Sequence, residues 1–311
     1  MDSTTSENGI AYYLLRFLEW SNSMNYSHET TRTRETCIRR FIVWCDARGL
    51  ASPNDITSPV LERYRRHLFH YRKSNGQPLS FSTQHSHLAP IKAFFKWLNK
   101  ENYILYNPAS DFELPRVPKR LPKNILSIEE INDMLNHTAI YGDIGIRDRA
   151  IMETFYSTGV RRMELVKLML QDLDFVRGTL TIFDGKFKKD RVVPIGDRAC
   201  AWIRKYLEEV RPNLVRDEDS GHLFLTEYGE PFIKNRVADL IKKYMLAVGI
   251  DKQGACHLFR HAMATHMLEN GADIRYIQMI LGHVNLSSTE IYTQVSIKKL
   301  KQVHTATHPA R

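Results

Sequence analysis

The sequence predicts a mainly α, two-domain protein: an N-terminal helical bundle followed by a C-terminal mixed α+β domain with a small antiparallel sheet. Three observations lead there. Apolar residues recur at helical spacing through the first hundred residues without a strand pattern, a proline-rich basic stretch follows Tyr106, and β-rich runs occur only in a short span of the second half. With 311 residues, 43% of them hydrophobic, the chain can bury two cores and is not disordered as a whole.

In order along the chain, Leu14, Leu15, Phe17 and Leu18, then Ile38, Phe41 and Ile42, then Leu88, Ile91, Phe94, Phe95 and Leu98 mark amphipathic helices. Ser27, Ser58 (with Pro59 next to it) and Ser80 read as N-caps, and the NGQP run at Asn75 to Pro78 as a turn. Residues 1–106 are assigned to this bundle. Residues 107–123, NPASDFELPRVPKRLPK, form an extended linker in which Pro108, Pro115, Pro118 and Pro122 deny helix. Its stiffness and positive charge suit a strap along a phosphate backbone, and equally a solvated connector. The mixed domain spans 124–295. Ser127 and Glu130 make an SxxE capping box, and helical periodicity runs through Ile131, Met134 and Leu135 and again from Asp148 to Leu170. Gly178 to Phe183 and Arg191 to Ile195 flank the polar turn DGKFKKD as a hairpin, with His222 to Thr226 a candidate third strand. Helices return from Asn235, and 296–311 form a polar tail.

Lys+Arg 44 against Asp+Glu 35 leaves a net charge of +9, which favours a polyanionic partner such as nucleic acid. Cys37, Cys45, Cys200 and Cys256 are far apart without a CxxC pair, so neither a zinc ribbon nor a disulfide framework is indicated. No apolar run approaches the roughly 18 residues that span a bilayer. The polar start MDSTTSENGI lacks the pattern of a secretory signal, so a cytoplasmic protein with no membrane partner is expected.

Three clusters in the second domain carry chemistry. In TGVRRMELVKL, a glycine precedes Arg161 and Arg162, which open a helix; in GKFKKDR, Lys186 stands just before a hairpin tip. Each alone reads better as solvated surface. In the third, HLFRHAMATHMLENGADIRYIQMILGHVNLSSTEIYTQV, His257 and Arg260 share a helical face, LGH brings His283 to a helix end, and Tyr292 follows a Ser/Thr-rich turn. A metal site on His257, His261 and His266 is disfavoured: Leu258 stands where an HExxH motif needs its glutamate, and no acidic or thiol ligand completes a set. His261 and His266 read better as satisfied structural histidines. Arg161, Lys186, His257, Arg260, His283 and Tyr292 together form a set of cations and hydrogen-bond donors with one hydroxyl nucleophile, which suits a phosphodiester. Two guanidiniums can clamp the phosphoryl oxygens as negative charge develops there. A tyrosine with an ordinary pKa of roughly 10 needs a base and a cationic site to attack, and His257 is the candidate base.

TGVR, GK beside a hairpin, HxxRH, LGH and a tyrosine soon after, in this order, resemble the tyrosine recombinase (phage integrase) family, most closely its Xer-type members, over nearly the whole chain. The resemblance implies a SAM-like core-binding bundle that clamps DNA, with the FFKWL helix in it, and a catalytic domain after the linker. It implies that Arg161 and Arg260 bind the scissile phosphate, Lys186 protonates the leaving 5′ oxygen, His257 is the acid/base histidine, His283 hydrogen-bonds the phosphate, and Tyr292 forms a 3′-phosphotyrosyl intermediate. That intermediate conserves bond energy, so no cofactor, neither ATP nor a metal, is implied. Implied partners are double-stranded DNA with inverted core sites and further protomers: a dimer on each site and a synaptic tetramer, homomeric or shared with a related recombinase, with the tail from Ser296 to His308 packing on a neighbour. The bundle starts without an arm-site domain, so simple core sites are expected. Cys256 and Gln294 depart from the proline and histidine that many relatives carry, and of the adjacent Arg161 and Arg162 the match to TGxR favours Arg161 for the clamp. Lys92, Lys96, Arg32 and Arg34 are candidate backbone contacts. Two alternatives share parts of this pattern: a type IB topoisomerase-like or telomere-resolving enzyme shares the nucleophile, and a non-enzymatic DNA-binding protein shares the charge but needs none of Tyr292, His283 or Lys186.

Overall fold

A computed structural model describes residues 9–118, 125–183, 190–216 and 218–282. The chain divides into two compact units, Met1–Arg120 and Leu121–Arg311. Lys186, His283, Tyr292 and the tail lie outside the described residues.

The first unit is built from α1 (Ile10–Ser23), α2 (His28–Asp46), α3 (Ser58–His70) and α4 (Phe81–Lys100). Ser27 caps α2 and Ser80 caps α4, their hydroxyls accepting from the N–H of Thr30 and of Thr83. The third helix starts differently from the expectation: Thr57 is its N-cap and Ser58 already helical, because Pro59 fits the first turn, where no amide donor is needed. The apolar stripes meet in a core centred on Phe17, Ile38, Phe41, Phe94 and Phe95, all fully buried. Phe17 meets Phe94 edge-on at 5.4 Å and Phe41 meets Tyr64 at 4.9 Å. Ala109 and Phe112, within the proline-rich segment, are also buried here, and Lys92 donates from Nζ to the Phe112 carbonyl at 2.6 Å. That bond ties the half-buried ammonium to the segment after α4. Arg34 is likewise engaged, donating to Ser21 Oγ at 2.9 Å with its guanidinium 3.9 Å from the Tyr26 ring centroid.

The second unit opens with α5 (Ile128–His137), capped by the reciprocal Ser127–Glu130 bonds. The next helix, α6 (Gly142–Thr158), buries residues on nearly every face, with Ala150, Ile151, Met152 and Phe155 wholly inside. The helical pattern expected to run from Asp148 to Leu170 breaks at Gly159, a left-handed C-cap, and resumes as the short α7 (Arg162–Val166). The antiparallel sheet has the order β1 (Leu173–Asp174), β2 (Thr179–Ile182), β3 (Arg191–Pro194), with Leu180 opposite Val193 and Ile182 opposite Arg191. β1 is the third strand, and His222 to Thr226 is not: His222 makes a single bridge to Met169, and Leu223, Phe224 and Leu225 fill the core instead. The reason is local. Asp174 Oδ1 accepts from the N–H groups of Val176 and Arg177 and Gly178 turns with positive φ, so β1 and β2 close over a short loop at little entropic cost. The chain continues through α8 (Asp197–Lys205), a π-helical turn (Tyr206–Val210), α9 (Arg211–Leu214), α10 (Lys234–Ala247), α11 (Cys256–Glu269) and α12 (Ile274–Leu281). Inside the unit, Asp148 accepts from the Arg147 guanidinium at 2.9 and 2.8 Å and from Tyr244 Oη at 2.8 Å, tying α6 to α10. Among the described residues no helix is long and apolar enough to cross a membrane.

Candidate active site

Arg161 is the N-cap of α7. Its backbone N–H donates to Glu164 Oε2 at 2.8 Å, the side chain three residues into the helix reaching back to an otherwise orphan amide. Its guanidinium donates to Glu164 Oε1 at 2.7 Å and to the Gly282 carbonyl at 3.2 Å. Arg260 lies on α11 one turn beyond His257 and is buried, 5% exposed. It donates to the Gly159 carbonyl at 2.5 Å and to the Leu281 carbonyl at 2.6 Å. The structure thus brings Arg161 and Arg260 together on successive carbonyls at the end of α12, immediately before His283.

The carbonyls at a helix C-terminus lack intrahelical partners and carry the negative end of the helix dipole, so cationic donors are favoured there. Backbone conformation makes the approach possible. Gly282 ends α12 in the left-handed region, and Gly159 does the same for α6; a Cβ on Gly159 would fall 2.2 Å from the Met263 terminal methyl. Asp273 starts α12 by accepting from the Arg275 N–H, and Ile277 and Leu281 are fully buried, which fixes that helix against α11.

His257 is exposed beside these cations, and its pKa is lowered by partial burial and by the charges of Arg260, Arg162 and Arg161. The neutral imidazole, the form that can accept a proton, therefore dominates at pH 7. His261 is lowered too, by burial and by His257 and Arg260. His266 pairs with Tyr156 Oη at 2.9 Å, as a structural histidine does. Among the described residues no three acidic, thiol or imidazole groups gather as a metal site. Cys256 opens α11 and is buried, its thiol pushed up to about 11 by burial, so it is an inert packing residue.

Two residues that sequence reading missed complete the cluster. Glu164 is 6% exposed. Burial alone would raise its carboxyl, but bonds from Arg191, from the Arg161 N–H and from the Arg161 guanidinium hold it at about 2. Arg191, on β3, donates to both Glu164 oxygens at 3.0 and 2.7 Å and from Nε to the Ile280 carbonyl at 3.1 Å. The sequence signal for Glu164 is its position three residues after a helix-opening arginine; Arg191 had only a charge at the start of a strand. Arg161 makes the bonds named here, while Arg162 is half-buried and reaches the cluster as a neighbouring charge on His257.

Residues 124–299 match the phage integrase family and residues 13–105 the phage integrase N-terminal SAM-like domain. The chain is 56% identical to tyrosine recombinase XerC 2 of Ralstonia nicotianae over 92% of this chain and 82% of that one. It is 33% identical to tyrosine recombinase XerD of Listeria monocytogenes over 91% and 93%. Among solved structures, XerA recombinase is 28% identical, covering 96% of this chain and all of that one, with a TM-score of 0.54. XerH recombinase bound to its palindromic difH substrate shares the fold with a TM-score of 0.71 at 20% identity, over 90% and 80% of the two chains. This chain belongs to the phage integrase family. Within it, the chain is a tyrosine-type site-specific recombinase of the Xer kind.

Proposed function

We propose that the protein exchanges strands between two short inverted-repeat core sites in double-stranded DNA by covalent transesterification. Tyr292 Oη attacks the scissile phosphorus, a 3′-phosphotyrosyl ester forms, and the 5′ oxygen leaves. His257 accepts the tyrosine proton and Lys186 protonates the leaving oxygen. Arg161 and Arg260 clamp the phosphoryl oxygens, where a lost donor costs about 10² to 10³ in rate, and His283 adds a hydrogen bond. Attack by the 5′ hydroxyl of the other site breaks the tyrosyl ester, restores the phosphodiester and moves the strand, so that two such rounds pass through a Holliday junction. Bond energy is kept in the ester, so neither ATP nor a metal enters. Integration, excision and resolution are all products of this reaction. Two protomers bind the inverted halves of one site and four make the synapse, all alike or two contributed by a related recombinase; on DNA the protein is associated with the nucleoid.

The observation that carries this reading is the convergence of Arg161 and Arg260, next to a neutral His257, on the carbonyls of Gly282 and Leu281. A non-catalytic DNA-binding protein would need none of Tyr292, His283 or Lys186. In the first unit, an open groove of about 490 Å³ lined by Arg32, Thr36 and Arg40 of α2 and Ser82, Ser86 and His87 of α4 offers cations and hydroxyls to a nucleic-acid backbone. The reading also accords with XerH, which acts on palindromic difH DNA. The test is single replacement of Tyr292 by Phe, assayed by incubation with nicked, radiolabelled duplexes carrying candidate inverted repeats. DNA binding should persist and covalent linkage vanish; recombination by the variant would overturn the assignment.

A further inference from the structure

Three arginines from three different elements bond three consecutive carbonyls. Arg191 of β3 takes Ile280, Arg260 of α11 takes Leu281, and Arg161 at the N-cap of α7 takes Gly282, at 3.1, 2.6 and 3.2 Å. Two of the three are the phosphate-clamp residues of the proposed reaction. Arg191 has no such role assigned, yet it is the only one whose guanidinium spans both oxygens of Glu164 and the helix end at once, among the described residues. Its side chain is 12% exposed, so it is not a general DNA-attracting surface charge. It also lies across Gly282: a Cβ there would stand 3.0 Å from Arg191 Cδ and 3.1 Å from its Nε. The contact thus depends on the same left-handed glycine that ends α12.

We propose that Arg191 is a positioning residue for the cleavage reaction, holding Glu164 and the end of α12 in a fixed relation so that Arg161 presents its guanidinium at the scissile phosphate. The inference rests on the recombinase reading above. Its physical content is competition for one carboxylate. Glu164 lies between two guanidiniums, and Arg161 shares it with Arg191. Without Arg191, Glu164 is left with Arg161 as its side-chain partner and draws that guanidinium toward itself, away from the phosphate. The Ile280 carbonyl loses its donor in the same change, so the segment leading to His283 is no longer tied to β3. Because Arg191 stands on β3, one side chain links the sheet to the clamp. A lysine cannot replace it: an ammonium is a point charge that cannot meet two carboxylate oxygens and a carbonyl in one plane.

The experiment measures single-turnover formation of the covalent adduct at saturating DNA, with the panel of nicked duplexes named above, alongside DNA affinity for each variant. Arg191→Ala should slow adduct formation about 10- to 100-fold, by analogy with losing an outer-shell partner that orients a metal ligand, while affinity stays unchanged. Arg191→Lys, which keeps the charge and serves if the alanine variant does not fold, should recover little of that rate. Glu164→Gln combined with Arg191→Ala should be no slower than the slower single variant, because the two act as one unit. A wild-type rate in Arg191→Ala, full recovery with lysine, a loss confined to DNA affinity, or multiplicative effects in the double variant would each overturn the proposal. If the unmodified protein itself forms no adduct on any duplex, the recombinase reading fails first and this inference with it.

Discussion

Glu164 links stability to pH at the scale of one residue. A carboxyl held from 4.5 down to about 2 contributes about 3 kcal/mol to folding at neutral pH. Because the folded-state value is the lower one, that contribution is complete above the unfolded value and is lost as pH falls from about 4.5 toward about 2. Glu164→Gln should therefore lower urea-unfolding stability by about 3 kcal/mol at pH 7 and by much less at pH 3; an equal deficit at both would contradict the ion-pair account. His257 titrates in the same direction, as an activity switch. Its lowered pKa keeps the imidazole neutral at pH 7, and protonation removes the base only as pH falls through that lowered value. The acid limb of the adduct-formation rate should lie below the ordinary histidine value of 6.5, and a limb above it would exclude His257 as the titrating base.

Among the elements, the ends of α6 and α12 set the site more than their lengths do. Gly159 has a φ of 60° and no space for a Cβ, and its carbonyl receives Arg260. Gly159→Ala should cost about 1–3 kcal/mol from backbone strain and overpacking, and slow adduct formation by shifting Arg260; a variant of wild-type stability and rate would show that the cap is not needed. Farther from the site, Tyr244→Phe removes a donor from the buried Asp148 and should cost about 1–3 kcal/mol in urea unfolding, without changing the acid limb. These elements were unevenly legible in the sequence. Helical periodicity and the Ser27, Ser80 and Ser127 caps carry their own signal, and so does the hairpin of β2 and β3. The third strand was misplaced because His222 to Thr226 has a strand composition while β1 is only two residues long, too short for periodicity to register. The residues brought to the site by local motifs, Arg161, His257 and Arg260, could be read directly. Arg191 could not, since its partners lie 27 and 89 positions away and only tertiary packing joins them.

For the whole molecule, charge and architecture agree: a net +9 chain folds as a helical unit and a mixed unit, each with its own aromatic and aliphatic core. DNA affinity should fall steeply and linearly on a logarithmic salt axis, as counterion release requires; an affinity indifferent to salt would speak against phosphate contacts in general. Such a titration does not distinguish an enzyme from a passive binder, because both bind through phosphates. Covalent chemistry does. The most direct test is to trap the protein on nicked, radiolabelled duplexes bearing inverted-repeat core sites, resolve the products on a denaturing gel and map the labelled residue. The account predicts DNA attached to Tyr292 through a 3′ phosphate. Tight binding with no adduct across the panel, or an adduct on any other residue, would contradict it.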